Sequence, residues 1–118
     1  IEITLPVLDA AYRRLAAASD FVLVEGVGGW LAPLDDVLDQ SDLVHALRLA
    51  VVFVVGLRLG CINHARLTEQ AVHGSGCRLL GWICNAVEPG FDADGAYFTA
   101  LSRSLRSPCL GRLAHVPA

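Results

Sequence analysis

The sequence lacks lysine and methionine altogether. All nine of its lysine-or-arginine positions are arginines. A nucleotide-binding P-loop of the GxxxxGK[ST] type needs a lysine that reaches the β- and γ-phosphates of the nucleotide. The 118 residues therefore contain no such loop and no lysine to place in one.

Cysteine is sparse and has no recognisable spacing. The four cysteines, none in a CxxC pair, predict neither a zinc site nor a disulfide framework. Reduced, mostly buried thiols are the simpler interpretation, and they favour a cytoplasmic location. No apolar run reaches the roughly 20 residues of a membrane span, and Ile1 does not begin a signal peptide. We expect no membrane association, and we interpret the chain as the later part of a longer protein.

Charge is also scarce, at 18% of residues with a net charge of -3. This balance gives no reason to expect nucleic acid as a partner. Hydrophobic residues make up 54% of the chain. So apolar a composition is typical of parallel strands buried on both faces, or of a segment taken from a larger core.

Helical and strand patterns alternate along the chain. Apolar periodicity and turn residues predict helices over 6–18, 41–47 (with Ser41 as the cap), 62–73 and 94–105. Short apolar runs predict strands over 21–24, 50–55, 79–84 and 109–113. This alternation indicates βαβ units and therefore an α/β fold with a parallel sheet and flanking helices.

Ligands of open parallel sheets bind at the carboxyl ends of the strands. Glu25, the 56–63 loop, Asn85 and residues 113–116 are each predicted at such an end, so we expect them to line one crevice. A carboxylate beside glycines that let a ligand approach closely suits a magnesium ion shared with a nucleotide phosphate. The pattern equally allows Glu25 to be a surface acid before an ordinary turn.

Three segments resemble the dethiobiotin synthetase family, ATP-dependent enzymes that close the ureido ring that precedes biotin. They are VLVEGVGGWLAPL, VVFVVGLRLGCINHARLTEQ and LLGWICNAVEPG, and the similarity runs from about Asp20 to Val116. The resemblance implies a P-loop NTPase-like α/β fold, with residues 1–118 as the C-terminal part of a single domain. The Walker lysine would lie outside this chain, so no catalytic residue is expected here and the chain alone should be inactive.

The resemblance also implies a role for individual residues. Glu25 corresponds to a magnesium ligand. Contacts to ATP are expected from Gly26, Val27, Gly28, Asn85, Ala86, Ala114, His115 and Val116. Contacts to the substrate carboxylate, across a homodimer interface, are expected from Gly60, Cys61, Asn63 and Tyr97. The chain departs from the family at Ala86, where an aspartate is common, and at Ala114, where a proline is common.

The chemistry of these side chains agrees with the implied roles without requiring them. A carboxamide such as that of Asn85 can pair with N6 and N7 of adenine, although asparagine is also common in turns at strand ends. Tyr97 could equally be a half-buried core residue. Two other functions stay open: a P-loop ligase of the cobyrinate amidase type, which shares the Glu-Gly-x-Gly-Gly pattern, and a non-catalytic nucleotide-binding dimerisation module.

The implied substrates are ATP, carbon dioxide and 7,8-diaminononanoate. One amine of the diamine captures carbon dioxide as a carbamate, and the carbamate oxygen attacks the γ-phosphate of ATP. The second amine then closes the ring and releases phosphate. The expected contribution of the protein is positioning and neutralisation of charge, with Mg²⁺ as the cation and the homodimer as the assembly.

Overall fold

The computed structural model describes residues 3–117. Their helices are α1 (Leu5–Ala17), α2 (Gln40–Leu47), α3 (Cys61–Gly74) and α4 (Ala96–Ser104), and their strands are β1 (Val51–Gly56), β2 (Leu79–Asn85) and β3 (Cys109–Leu113). None of the helices in the described range is both long and apolar enough to cross a membrane. Contacts divide the chain into two compact units, one ending at Leu49 and the other starting at Ala50.

The first unit contains the two helices α1 and α2. Pro6 lies in the first turn of α1, where its missing N–H would have no helical acceptor anyway. The cap of α2 is Asp39 and not Ser41, so the predicted cap is wrong by two residues. The Asp39 carboxylate accepts hydrogen bonds from the amides of Ser41 and Asp42, and Asp42 Oδ2 accepts from Asp39 N in return. A hydrogen bond from Ser41 Oγ is the main cause that lowers the pKa of Asp39.

The predicted strand over 21–24 is wrong: this segment is irregular and exposed. Phe21 is 81% exposed and Leu23 is 83% exposed. Strands form only where backbone groups pair with a neighbour. Within residues 3–49 the structure contains one isolated β-bridge, between Pro33 and Asp39, and no strand. An apolar run without a partner strand therefore forms no strand, and Glu25 does not end a sheet strand.

The second unit is a three-stranded parallel sheet in the order β1-β2-β3. Helices α3 and α4 are the crossovers between its strands, as the alternating pattern predicts. Because all three strands run the same way, their carboxyl ends meet at one edge of the sheet. The predicted α/β class, with a P-loop NTPase-like parallel sheet and flanking helices, is confirmed for the part of the chain that the structure describes.

Trp82 is the centre of the core of this unit. Its ring is 1% exposed and lies 6.0 Å from the ring of Phe98 on α4. The indole N–H donates to the carbonyl of Ser107 at 3.2 Å, so the one polar group of the ring is satisfied. Around it pack residues of the sheet and of both helices, among them Val55, Leu57, Cys61, Ala65, Cys84, Leu101 and Leu105. Burial raises the pKa of the Cys84 thiol, which suits the inert core role expected for it.

Glu69 on α3 is 5% exposed, which is unusual for a carboxylate. It accepts hydrogen bonds from the backbone N–H groups of Arg106 and Ser107 and from Ser107 Oγ. Burial by itself raises the pKa of this carboxyl. The hydrogen bonds from Ser107 and Arg106, with the nearby charge of His73, outweigh it and bring the pKa below its ordinary value of 4.5. Glu69 thus ties α3 to the turn that leads into β3.

Replacing Glu69 by Gln should destabilise the protein at neutral pH. The amide would keep one acceptor oxygen but would turn an N–H donor towards the backbone donors, so we expect a loss of about 1.5–3 kcal/mol in the free energy of unfolding. A carboxyl whose folded pKa is lowered stabilises the fold above its unfolded pKa, and this contribution is lost as pH falls through the folded pKa. Denaturant titrations should therefore show a large difference in the free energy of unfolding between the parent and Glu69→Gln at pH 7. This difference should become smaller below pH 4.5.

Glu88→Gln is the matched control, because Glu88 is an exposed glutamate of the same unit. It should leave the unfolding free energy nearly unchanged at both pH values. A Glu69→Gln protein as stable as the parent at pH 7 would contradict the structural role given to this carboxylate.

Candidate functional site

Hydrogen-bond register aligns the carboxyl ends of the three strands of the second unit. Gly56 pairs with Asn85, and Asn85 pairs with Leu113. The next residues continue the alignment: Leu57 N donates to Asn85 O at 2.7 Å, and Ala86 N donates to Leu113 O at 3.0 Å. The loop before α3, the Asn85 turn and the segment after β3 therefore leave the sheet side by side.

Asn85 presents an uncommitted carboxamide at the middle of this edge. Its backbone carbonyl is used by Leu57, while no residue within 3–117 hydrogen-bonds to its half-buried side chain. Ala86 differs, because its N–H is already donated to Leu113 O. Any ligand contact by the Ala86 backbone is therefore left to its carbonyl. One side chain with both a donor and an acceptor is free at this position.

The segment after β3 lies next to Asn85. Ala114 to Pro117 has no regular structure, Ala114 and Val116 are exposed, and His115 is half-buried. Leu113, which precedes it, is held through the Ala86 amide. A flat apolar ligand placed beside the Asn85 carboxamide would therefore meet the side of this segment.

Helix α3 starts at the same edge with free amides. Gly60 is its N-cap, with a φ of +88° that favours glycine, and it caps through no side chain. Cys61 N donates to Arg58 O, and His64 N donates to Gly60 O. Within the described chain, the N–H groups of Ile62 and Asn63 have no acceptor. Free amides at the positive end of a helix dipole form an anion site.

The residues predicted to bind the substrate differ in whether their backbone amides are free. Cys61 is 4% exposed, packs in the core and has its N–H engaged. Asn63 is exposed and has a free amide, which agrees with its predicted role. Ile62 was not named among the predicted substrate residues. The rule that the first turn of a helix leaves its amides unpaired applies to it whether α3 starts at residue 61 or 62.

Tyr97 lies at the second position of α4, packed on the core. Its ring centroid is 4.6 Å from that of Phe91, and its backbone N–H donates to Asp92 Oδ1 at 2.6 Å. Within residues 3–117 no group hydrogen-bonds to the Tyr97 hydroxyl. The structure thus supports a core role for the ring and leaves the hydroxyl open to a ligand.

Two residues that the sequence did not single out fix this part of the edge. Asp92, with a left-handed φ of +62°, buries its carboxylate against the amides of Tyr97 and Phe98. Arg112 on β3 lies 3.7 Å from Asp92 Oδ2 and stacks over the Phe98 ring at 4.8 Å. The pair joins the start of α4 to the end of β3. Neither residue stands in a recognisable motif, because their partners are distant along the chain.

The glycine loop belongs to the first unit. Glu25, Gly26, Val27 and Gly28 are all exposed. Gly28 has a φ of +82°, so the conformational freedom of glycine is used there. Gln40 Nε2 donates to the Val27 carbonyl at 3.4 Å, which links the loop to the first turn of α2.

Glu25 offers one free carboxylate for a metal. The described chain contains no group of three acidic, histidine or cysteine side chains that could hold a metal ion by itself. Mg²⁺ usually takes one or two carboxylates and completes its shell with water and substrate phosphates. The donor set here therefore fits a magnesium ion that arrives with a nucleotide, and does not fit a metal bound by protein side chains alone.

Comparison with known proteins gives one consistent group of relatives. ATP-dependent dethiobiotin synthetase BioD of Xanthomonas campestris pv. campestris is 48% identical over 117 residues, which is 99% of this chain and 52% of that protein. The protein of the same name from Xylella fastidiosa is 45% identical over 117 residues, with the same coverage. That of Xanthomonas euvesicatoria pv. vesicatoria is 49% identical over 107 residues, 91% of this chain and 48% of its own length.

The chain spans about half the length of the curated relatives it matches. The similarity to them agrees with the family that the three sequence segments indicate. A family profile described as an AAA domain, AAA_26, matches residues 2–118. Because that match covers nearly every residue, the chain belongs to the AAA_26 family of AAA domains.

Proposed function

We propose that this chain forms the nucleotide-base and substrate-carboxylate part of an ATP-dependent dethiobiotin synthetase. The observation that carries the proposal is the edge of the second unit, where the free Asn85 carboxamide and the free amides of α3 leave the same side of one sheet. The name shared by the relatives favours this enzyme over a cobyrinate amidase-type ligase or a non-catalytic dimerisation module. The free thiols of Cys61, Cys84 and Cys109 agree with a reducing, cytoplasmic location.

The proposed reaction joins carbon dioxide to 7,8-diaminononanoate at the expense of ATP. A diamine nitrogen bonds to carbon dioxide and loses a proton, which gives a carbamate. The carbamate oxygen then displaces ADP at the γ-phosphorus, which gives a carbamic-phosphoric anhydride. The second nitrogen attacks the carbonyl carbon, expels phosphate and loses a proton, which closes the five-membered ring.

Asn85 would recognise the adenine. Its carboxamide oxygen can accept from the adenine N6 amino group while its N–H donates to N7. Residues 114–116 would lie along the base and ribose, and Ala86 would contribute its carbonyl. Guanine carries an acceptor oxygen at C6 and would leave the carboxamide oxygen without a donor. The site would therefore prefer ATP to GTP.

Glu25 would hold magnesium beside the nucleotide phosphates. Bound Mg²⁺ would neutralise charge that develops on the phosphate oxygens during transfer. The carboxylate would hold the ion, and Gly26 to Gly28 would let the backbone approach the phosphates closely. The lysine that phosphoryl transfer also needs would come from outside these 118 residues.

The start of α3 would bind the carboxylate of the diamine substrate. The amides of Ile62 and Asn63 are the free donors there, and Gly60 gives the backbone its turn. We propose that they serve the substrate of a second copy in a two-fold homodimer, so that each active site uses two chains. Tyr97 would add its hydroxyl and Cys61 would support the turn from the core.

Asn85→Ala should remove the preference for ATP. The paired contact is worth about 1–3 kcal/mol by analogy with two-point recognition of bases, so the ratio of kcat/KM for ATP over GTP should fall by about tenfold or more. Asn85→Asp keeps an oxygen that can accept from N6 but loses the N–H donor to N7, so its kcat/KM for ATP should fall while some preference for ATP remains. The ratio is measured in the complete gene product, and an unchanged ratio in Asn85→Ala would rule out the adenine contact.

Glu25→Gln should weaken the response to magnesium. The complete enzyme should need a higher Mg²⁺ concentration for half-maximal rate and should lose kcat, while the KM for the diamine changes little. Asp20→Asn is the control, since Asp20 is another exposed acid of the same unit outside the proposed site. If the magnesium titration curves of Glu25→Gln and the parent superimpose, the metal role is wrong.

Asn63→Asp should raise the KM for the diamine more than the KM for ATP, because it places a negative charge beside the substrate carboxylate. Mixing this variant with Glu25→Gln tests whether sites are shared. In a hybrid dimer with shared sites, one site carries both changes and the other carries neither. Activity after subunit exchange should therefore exceed the mean of the separate variants. No gain, with hybrids confirmed by mass spectrometry, would place each site within one chain.

A further inference from the structure

A cleft with arginines on both sides lies between the C-terminal half of α3 and the turn that follows α4. Its volume is about 320 Å³, and it is lined by Arg66, Glu69, Gln70, His73, Ser104 and Arg106. The four lining residues of α3 have the i, i+3, i+4, i+7 spacing that places side chains on one face of a helix. That face of α3 is polar, whereas Cys61, Ala65 and Val72 on the same helix are buried.

The cleft carries more positive than negative charge. Two arginines, Arg66 and Arg106, line it together with one acidic residue, Glu69, whose carboxylate accepts hydrogen bonds from two backbone amides and the Ser107 hydroxyl. The ion pairs found among residues 3–117 use Arg13 and Arg112, and neither arginine of the cleft. Both cleft arginines are exposed, and neither forms a salt bridge within the described chain.

Glu69 also fixes the geometry of the cleft. Both of its oxygens accept from the backbone N–H of Arg106, at 3.1 and 3.0 Å. This contact holds the backbone of Arg106 against α3, the helix that carries Arg66. The backbone of Arg106 is therefore fixed by a buried hydrogen-bond network and that of Arg66 by the helix, even though both side chains are exposed.

The cleft is lined by other residues than those proposed for the nucleotide and the substrate. Along α3 it begins at Arg66, about 4.5 Å of helix rise past Asn63, and extends to His73, about 15 Å past Asn63 at 1.5 Å per residue. Its other wall includes Arg106, in the turn between α4 and β3 and thus at the amino end of β3. Asn63, Asn85 and Tyr97 are not part of the lining.

We propose that this cleft is a second binding site, for a small phosphate-bearing anion. The fork of an arginine guanidinium matches two oxygens of a phosphate, and two such forks can hold a dianion from both sides. Gln70, His73 and Ser104 supply further polar groups around it. The volume lies at the lower end of the roughly 300–1,000 Å³ of ligand pockets, which suits a phosphate with a small organic substituent.

The test uses inorganic phosphate as the probe on the complete gene product, with excess ADP present to fill the nucleotide site. Side-chain Nε–Hε NMR signals of Arg66 and Arg106, assigned from Arg66→Gln and Arg106→Gln, should shift together as phosphate is added. The double variant should bind phosphate at least about tenfold more weakly, a difference of about 1.4 kcal/mol. All variants are checked for unchanged circular dichroism, because both side chains are exposed and should not be needed for folding.

Arg103→Gln is the matched control, since Arg103 is an exposed arginine of α4 outside the lining. It should bind phosphate like the parent. Malonate at equal ionic strength should bind more weakly than phosphate. The proposal is overturned if neither arginine signal shifts, if the double variant binds as well as the parent, if Arg103→Gln loses binding equally, or if malonate binds as tightly as phosphate.

Discussion

The parallel register of three short strands is the constraint on which the rest of the second unit depends. It aligns Gly56, Asn85 and Leu113, and it commits the amides of Leu57 and Ala86 to the backbone of the neighbouring strand. What remains available at that edge is therefore defined by elimination: one carboxamide, one backbone carbonyl and the first amides of α3. A shift of one residue in any strand would exchange these groups for different ones.

The opposite end of the same unit is held by polar groups that the core has buried. The Trp82 indole and the Glu69 carboxylate both bond to the turn before β3, through Ser107 and, for Glu69, also Arg106. Buried polar groups are costly unless they are satisfied, so these bonds fix where α4 ends and β3 begins. The Asp92–Arg112 pair does the same where α4 begins. Helix α4 is thus held by polar contacts at both of its ends, and these contacts support the edge with Asn85.

Much of the fold follows from the sequence pattern, and each wrong prediction has its own physical reason. The helices and strands of the second unit fall within about two residues of their predicted bounds, because local periodicity and turn residues specify them. The segment 21–24 reads as a buried strand but is exposed, since a strand also needs a neighbour and apolar composition cannot supply one. The N-cap of α2 is Asp39 and not the predicted Ser41, because the Asp39 carboxylate accepts hydrogen bonds from the amides of both Ser41 and Asp42.

The candidate site divides in the same way. The sequence by itself determined which residue types stand at the strand ends and at the start of α3, and its three segments sufficed to indicate the family that the relatives support. Only the tertiary structure decided which groups are free. The backbone amides of Ala86 and Cys61 donate hydrogen bonds within the described part of the chain, whereas the backbone amide of Ile62 and the side-chain carboxamide of Asn85 do not. Arg66 and Arg106 likewise share a cleft across 40 positions of chain. Hydrogen bonds and charge pairs between distant residues depend on packing in three dimensions, which local patterns do not encode.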